Sequence, residues 1–265
     1  MLLIFQRLWQ VNWAEQWQYR ANLIMYLLYW LVSPIIYLAV WTSIANSKGD
    51  VNGYTANDFI TYYMTLLIVD QITSNIIIHS FGYKIQDGTL SGELIRPIHP
   101  MLTNALVNNI AFKGLTIMGL IPIWIVLFFL FRPDYSNVAL SGILLAIPAT
   151  ILGFFIGYLL SATITALAFW TTRVYSIHEF YYALILLFSG QFVPLTLMPK
   201  LVQDIAQYLP FQLLIYFPVQ LILGKLSSAQ ITQGFMMAGI WLVISLTLFT
   251  WVWRNGVKRF SAVGA

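Results

Sequence analysis

The stretch GYKIQDGTLSGELIRPIHP, residues 82–100, decides the fold because it is the longest run in the chain that a lipid bilayer could not accept. Apolar segments lie on both sides of it, and a charged loop between two such segments is typical of the water-facing connection between membrane spans. Its three glycines and two prolines leave room only for short helices. The sequence predicts one helix at about 89–95, entered through Asp87 and Gly88 and stopped by Pro97. We call residues 82–100 the charged loop.

The composition excludes an ordinary soluble protein. Of the 265 residues, 60% are hydrophobic and only 8% are charged, which indicates an integral membrane protein with a single transmembrane domain over residues 1–265. The net charge of +4 comes from scattered basic residues, so the sequence predicts no nucleic-acid partner. The chain has no cysteine, which removes disulfides, thiolate metal sites and thiol nucleophiles.

Six apolar segments predict six transmembrane helices. The shortest holds about 18 residues, or roughly 27 Å of helix, against a hydrocarbon core of about 30 Å. The segments are 23–45, 58–81, 114–131, 139–169, 179–197 and 231–253. The predicted fold class is therefore all-α, with helices that cross a bilayer surrounded by membrane lipid.

The distribution of basic residues predicts the orientation. An even number of spans places both termini on one side, and the positive-inside rule assigns the side richer in Lys and Arg to the cytoplasm. Nine basic residues then lie inside: Arg7, Arg20, Lys84, Arg96, Lys113, Arg173, Arg254, Lys258 and Arg259. Four lie outside: Lys48, Arg132, Lys200 and Lys225. We predict a multi-pass protein of the plasma (cell inner) membrane with cytoplasmic termini and a cytoplasmic charged loop.

The N-terminal segment carries aromatic residues on one helical face. Phe5, Trp9, Trp13 and Trp17 recur every four residues among frequent polar residues. This pattern favours a helix at the membrane interface, where an indole ring can lie among acyl chains while its N–H stays wet. The alternative is that this segment is the start of the first span.

A mostly apolar region before the last span is interrupted by Pro194, Pro199, Pro210 and Pro218. Within it, KLVQDIAQYL is typical of an amphipathic surface helix, and the apolar stretch that follows is too interrupted to cross. We predict a broken element that dips into the outer leaflet, with its backbone polar groups covered by protein. A simple outer loop is the alternative, although it fits the apolar content less well.

The sequence predicts neither catalysis nor a cofactor. In the one Gly-Lys pair, Gly224 and Lys225, Val219 stands where an ATP-binding loop would need its first glycine. His79, His99 and His178 lie far apart, and no metal-binding or nucleophile motif includes them. We therefore predict a protein that is not an enzyme, with no metal site.

The second apolar segment has a polar side. On a helical wheel, Tyr63, Asp70 and Ser74 fall close together, with Gln71 and Asn75 on the adjoining strip. An ionised carboxylate in lipid costs several kcal/mol unless it is paired, hydrated or protonated. Either this side is hydrogen-bonded to neighbouring helices, or it lines a substrate path or the seam with a second membrane-spanning chain. The two interpretations are compatible, and the sequence does not separate them.

In the fourth segment, Gly153 and Gly157 form a G-x-x-x-G pair. Such a pair permits two helices to approach closely, and we interpret it as a packing feature.

Two stretches resemble the permease subunits of ABC type-2 exporters. The first is IQDGTLSGELIRPI, residues 85–98; the second combines SGQFVPLTLMP, residues 189–199, with LPFQLLIYFPVQLILG, residues 209–224. The resemblance implies a permease that pairs with a second permease, of the same or a different chain, and with cassette ATPase subunits that hydrolyse ATP. It also implies export of a hydrophobic or amphipathic substrate, which could be drug-like, a lipid or glycan-linked, out of the cytoplasm or inner leaflet.

In that family a short coupling helix after the second span transmits the motion of the ATPases, and residues 88–97 match it here. The resemblance makes Glu93 and Arg96 the expected docking contacts. The other residues it implicates in ATPase coupling are Asp87, Gly88, Pro97, His178 and Glu179. Two other classes stay open at this stage: an ion-coupled secondary transporter that uses Asp70, and a membrane assembly subunit that does not transport.

Overall fold

The computed structural model describes residues 2–75, 77–136 and 138–260, and these residues form a bundle of helices. The helices in chain order are α1 (Leu2–Gln18), α2 (Arg20–Lys48), α3 (Ala56–Thr73), α4 (Tyr83–Gln86), α5 (Ser91–Leu94), α6 (Leu106–Phe131), α7 (Leu140–Ala166), α8 (Val174–Phe188), α9 (Lys200–Ala206), α10 (Tyr216–Ile222) and α11 (Ser228–Val257). Short π-helical segments, Ile78–Gly82 and Pro100–Ala105, lead into α4 and α6. The predicted all-α fold class is confirmed for the described residues.

Four helical stretches are long and apolar enough to cross a membrane: Ala21–Lys48, Pro100–Phe131, Leu140–Phe169 and Ser228–Val257. A fifth is possible if the pair Lys200–Ala206 and Phe211–Ile222, bent by 78°, counts as one span. Helix α3 is not among them, and the 15 residues of α8 give only about 22 Å of helix. The chain is a multi-pass membrane protein, and the arrangement of six spans remains a prediction.

The second apolar segment is not one helix up to residue 81, as the sequence analysis expected. Helix α3 ends at Thr73, and Ser74 is extended with φ −61° and ψ 150°. The side-chain amide of Asn75 donates to the carbonyl oxygen of Thr73 at 2.7 Å. Short polar side chains that bond to nearby backbone groups compete with the helix, and this explains the break.

The third apolar segment begins earlier than expected. Lys113 was predicted to lie in the cytoplasm before the segment, but it sits inside α6 and is 7% exposed. Its Nζ donates to the carbonyl oxygen of Gln71 at 3.0 Å and to Oγ of Ser74 at 3.2 Å. A buried ammonium is tolerated because α3 supplies these acceptors.

Helix α7 lies at the centre of the bundle and packs against α3, α8, α10 and α11. A Cβ atom added at Gly153 would lie 2.7 Å from the carbonyl oxygen of Leu213, and one added at Gly157 would lie 3.3 Å from that of Thr73. The two glycines therefore bring α7 against backbone, as the packing interpretation of the G-x-x-x-G pair predicted.

Residues 194–224, which we call the bent element, fold back onto α3 and α7. Phe211, Leu213 and Phe217 are buried there. The carbonyl oxygen of Gly190, just before the element, accepts from Oη of Tyr62 at 2.7 Å. The second part of the element, residues 210–223, is mostly buried in protein, whereas Leu201 and Tyr208 in the first part are exposed. The depth of the element in a membrane stays a prediction.

Candidate substrate cavity and charged loop

A cavity of about 710 Å³ lies at the end of the bundle that carries the charged loop. Its walls come from α2, α6 and α8, from the last turn of α3 with the residues after it, and from the second half of α7. The break after Thr73 contributes directly, because it turns Ser74 and Asn75 out of the helix and into the cavity wall. Volumes of this size are typical of small-molecule sites.

Asp70 lines the cavity and is 4% exposed. Its Oδ2 accepts a hydrogen bond from Nε2 of Gln191 at 3.1 Å. The ammonium of Lys113 attracts the carboxylate but forms no ion pair with it among the described residues. Because Lys113 is held by Gln71 and Ser74 instead, the carboxylate remains directed at the cavity.

The five residues predicted for the substrate path or permease seam divide into two groups. Asp70, Ser74 and Asn75 line the cavity, whereas Tyr63 and Gln71 do not. Oη of Tyr63 donates to the carbonyl oxygen of Phe192 at 2.6 Å, and Nε2 of Gln71 donates to Oγ1 of Thr116 at 2.6 Å. The hydrogen-bonded interpretation therefore applies to Tyr63 and Gln71. A substrate path past the other three residues and a seam with a second permease remain predictions.

His178 and Glu179 also line the cavity. The resemblance implied that they contribute to ATPase coupling at a cytoplasmic turn. They lie in the second turn of α8, close to the loop that precedes it. Their position allows contact with a cavity ligand, and their part in coupling remains a prediction.

Sequence reasoning missed much of the cavity wall. Gln16, Asn108 and Gln191 contribute amides, and Tyr26 and Trp30 contribute aromatic rings. Nε2 of Gln16 donates to Oδ1 of Asn108 at 3.1 Å, which joins α1 to α6. A signal was present, since amides in or beside apolar segments are costly in lipid, but it did not indicate which of them converge.

The charged loop contains a shorter helix than predicted. Helix α5 spans Ser91–Leu94 rather than 89–95. Gly88 has φ +81°, a left-handed conformation that favours glycine. Oδ1 of Asp87 accepts from the backbone N–H of Thr89 at 3.0 Å and from its hydroxyl at 2.8 Å. These hydrogen bonds lower the pKa of Asp87 below its ordinary value.

Glu93 and Arg96 have different surroundings. Oε1 of Glu93 pairs with Nζ of Lys84 at 2.6 Å, and the glutamate side chain is only 14% exposed. Arg96 and Pro97 are exposed, and Ile95 between the ion pair and Arg96 is 86% exposed. The ion pair therefore holds the loop, while Ile95, Arg96 and Pro97 form its exposed apex.

These features define a helical, multi-pass membrane protein with an internal polar cavity beside a structured, charged loop. The model of the ABC-2 family transporter proteins matches residues 21–264, and the chain belongs to this family. Membership makes the chain a membrane permease component of an ABC transporter and implies association with an ABC ATPase. A comparison with curated proteins gave no significant match.

Proposed function

We propose that the chain is the permease subunit of an ATP-driven exporter that moves a hydrophobic or amphipathic substrate out of the cytoplasm or inner leaflet. Residues 1–265 act as one permease domain in the plasma (cell inner) membrane, with both termini in the cytoplasm. The substrate passes through or beside the cavity, and ATP is hydrolysed in a partner subunit that docks on the charged loop.

The exposed apex of the charged loop carries this proposal. A large aliphatic side chain that is 86% exposed, Ile95, stands in a segment that the charge pattern assigns to water. An exposed apolar side chain beside a cation is the chemistry of a protein interface. The apex is held in place by the Lys84–Glu93 ion pair, so its shape is preformed for a partner.

The proposal includes a second permease subunit that packs against this chain in the membrane. Helices α2, α6 and α11 each carry rows of exposed apolar side chains, such as Met25, Phe129 and Trp251. Membrane lipid covers these faces, except where a second permease of the same or a different chain replaces it.

Copurification of the ATPase tests the proposal. Ile95→Asp and Arg96→Glu should reach the membrane at normal levels, because both side chains are exposed, yet lose the ATPase on purification and lose transport-stimulated ATP hydrolysis. An interfacial contact of this kind is worth roughly 2–5 kcal/mol when it is buried by the partner. The matched control is Lys48→Glu, a charge reversal at the C-terminal end of α2, which is predicted to face the outside. This variant should retain the ATPase. Normal copurification in both apex variants would contradict the docking assignment.

A charge swap separates contact with the ATPase from the shape of the loop. Glu93→Lys places two lysines together and should loosen the loop, so it should also lose the ATPase. The double variant Lys84→Glu with Glu93→Lys restores the attraction. If Glu93 only shapes the loop, the swap recovers copurification; if Glu93 touches the ATPase directly, the swap does not.

The ion-coupled alternative depends on Asp70, which lies in the cavity wall near Lys113. Membership of the ABC-2 family favours ATP as the energy source. Transport by the purified permease alone, driven by an ion gradient without ATPase or ATP, would favour the alternative.

A further inference from the structure

Several buried polar atoms in the cavity wall lack a hydrogen-bond partner among the described residues. Three are the side-chain amide oxygens of Asn75, Asn109 and Gln191, a fourth is Oγ of Ser161, and a fifth, a pure donor, is the indole N–H of Trp30. Asn109, Ser161 and Gln191 are themselves at least nine-tenths buried. Buried polar groups are nearly always paired, so these atoms are available to form hydrogen bonds with a ligand that enters the cavity.

The unpaired amide oxygens are acceptors. The amide nitrogen of Asn75 donates to the carbonyl oxygen of Thr73 at 2.7 Å, and that of Gln191 donates to Oδ2 of Asp70 at 3.1 Å. Reversing either amide would place its oxygen against another oxygen, so each orientation is fixed by its neighbour. A ligand that satisfies these oxygens must bring hydrogen-bond donors.

The charge of the cavity wall favours a cationic ligand. Asp70 and Glu179 contribute two carboxylates, while the described residues that line the cavity include no lysine or arginine. Lys113 lies behind the wall, where its ammonium contacts Gln71 and Ser74 and lies 5.9 Å from the centre of the Phe154 ring. His178, Tyr181 and Tyr182 are the other titratable groups that α8 contributes to the wall. An anionic ligand would therefore face Glu179 and the partly compensated charge of Asp70, with no cation among the described wall residues to bind it.

Aromatic rings also line the cavity. Tyr26 stacks on Trp30 with ring centres 5.8 Å apart and meets Phe112 edge to face at 4.8 Å. Tyr29, Tyr181 and Tyr182 line the cavity as well. Aromatic faces attract cations and also take up apolar groups.

We propose that this cavity binds an amphipathic cation, a protonated amine with an aromatic or aliphatic body whose N–H groups face Asp70, Glu179 and the unpaired amide oxygens. The inference rests on the proposed function, because it names the substrate class of the same exporter. A neutral sugar would satisfy the acceptors but would leave Glu179 without an ion-pair partner among the described residues.

Binding to the purified permease tests the inference without the ATPase. The probes are a naphthylalkyl primary ammonium, a naphthalene sulfonate and a naphthyl glucoside, measured by equilibrium dialysis against permease in phosphatidylcholine nanodiscs, with empty nanodiscs subtracted. We expect the ammonium to bind at least tenfold more tightly than either other probe. The variant Glu179→Gln should weaken ammonium binding roughly tenfold, as expected for the loss of one charge-assisted hydrogen bond.

Glu15→Gln is the matched control, since Glu15 is exposed on α1 and does not line the cavity; it should bind as the parent chain does. Equal or tighter binding of the sulfonate or the glucoside, or ammonium binding that Glu179→Gln leaves unchanged, would overturn the inference. Absence of ammonium binding with normal ATPase copurification refutes this inference alone. Ammonium binding with failed ATPase docking refutes only the proposed function.

Discussion

Buried polar groups at the two ends of the bundle differ in their hydrogen bonding. At the end where α3 begins, Tyr62 and Tyr63 donate to the carbonyl oxygens of Gly190 and Phe192, whereas Nε2 of Gln220, in α10, has no partner among the described residues. At the end where α3 stops, amide oxygens and a hydroxyl remain unpaired around the cavity. Paired groups hold one arrangement, whereas unpaired groups are available to a ligand. The comparison supports a structural role for the two tyrosine hydroxyls and is consistent with the proposed binding role of the groups around the cavity.

The largest effect should come from the contact between α7 and the bent element. Gly153→Ala would place a methyl group 2.7 Å from the carbonyl oxygen of Leu213 and 3.3 Å from Cα of Leu214, and these backbone atoms cannot move aside as a flexible side chain can. Overpacking of this kind costs up to about 3 kcal/mol. We expect a clearly lower melting temperature in fluorescence-detected size exclusion.

Gly239→Ala is the control for that substitution. Gly239 lies in α11, and an added Cβ there would meet nothing within 4 Å. Alanine is the better helix former, so this variant should melt at the parent temperature or slightly above it. Equal melting of the two variants would show that the close approach at Gly153 does not exist.

The next-largest effect should be a difference in stability loss between two variants, each of which removes one hydroxyl group from one end of the bundle. Tyr62→Phe removes the donor to Gly190 and leaves a buried carbonyl oxygen unpaired, at a cost of about 1 kcal/mol. Ser161→Ala removes a hydroxyl that has no partner among the described residues, so the ligand-free permease should lose almost nothing. Thermal melting of both variants in the same detergent measures the difference. A larger loss for Ser161→Ala than for Tyr62→Phe would reverse the assignment of the two ends.

Hydropathy predicted where helices exist but not where they stop. Every apolar segment contains a helix, because long apolar runs have few other ways to satisfy their backbone in lipid. The end of α3 was missed because it depends on Asn75, whose side chain bonds to the backbone of Thr73. The start of α6 was missed because the buried Lys113 is stabilised by hydrogen-bond acceptors about forty residues earlier in the chain. No local sequence pattern reveals such partners.

The site was predictable only in part for the same reason. Asp70 was identified from the sequence, because a carboxylate inside an apolar segment is costly unless it is paired, hydrated or protonated. Amides such as Gln191 and Asn109 give a weaker signal, and their place in the site appears only when the fold brings Gln191 beside Asp70 and both amides into one cavity. The short helix of the charged loop was predicted from glycine and proline positions, whereas the pairing of Glu93 with Lys84 was not, because the loop must fold before the two residues meet.

Cysteine accessibility tests the central claim most directly, namely that the cavity end and the charged loop face the cytoplasm. The chain has no cysteine of its own, so Asn52→Cys, Gly92→Cys and Glu179→Cys each give a single reactive site. A membrane-impermeant maleimide should label Asn52→Cys in intact cells, and should label Gly92→Cys and Glu179→Cys only in inside-out vesicles. Labelling of Gly92→Cys or Glu179→Cys from the outside of intact cells would contradict the account.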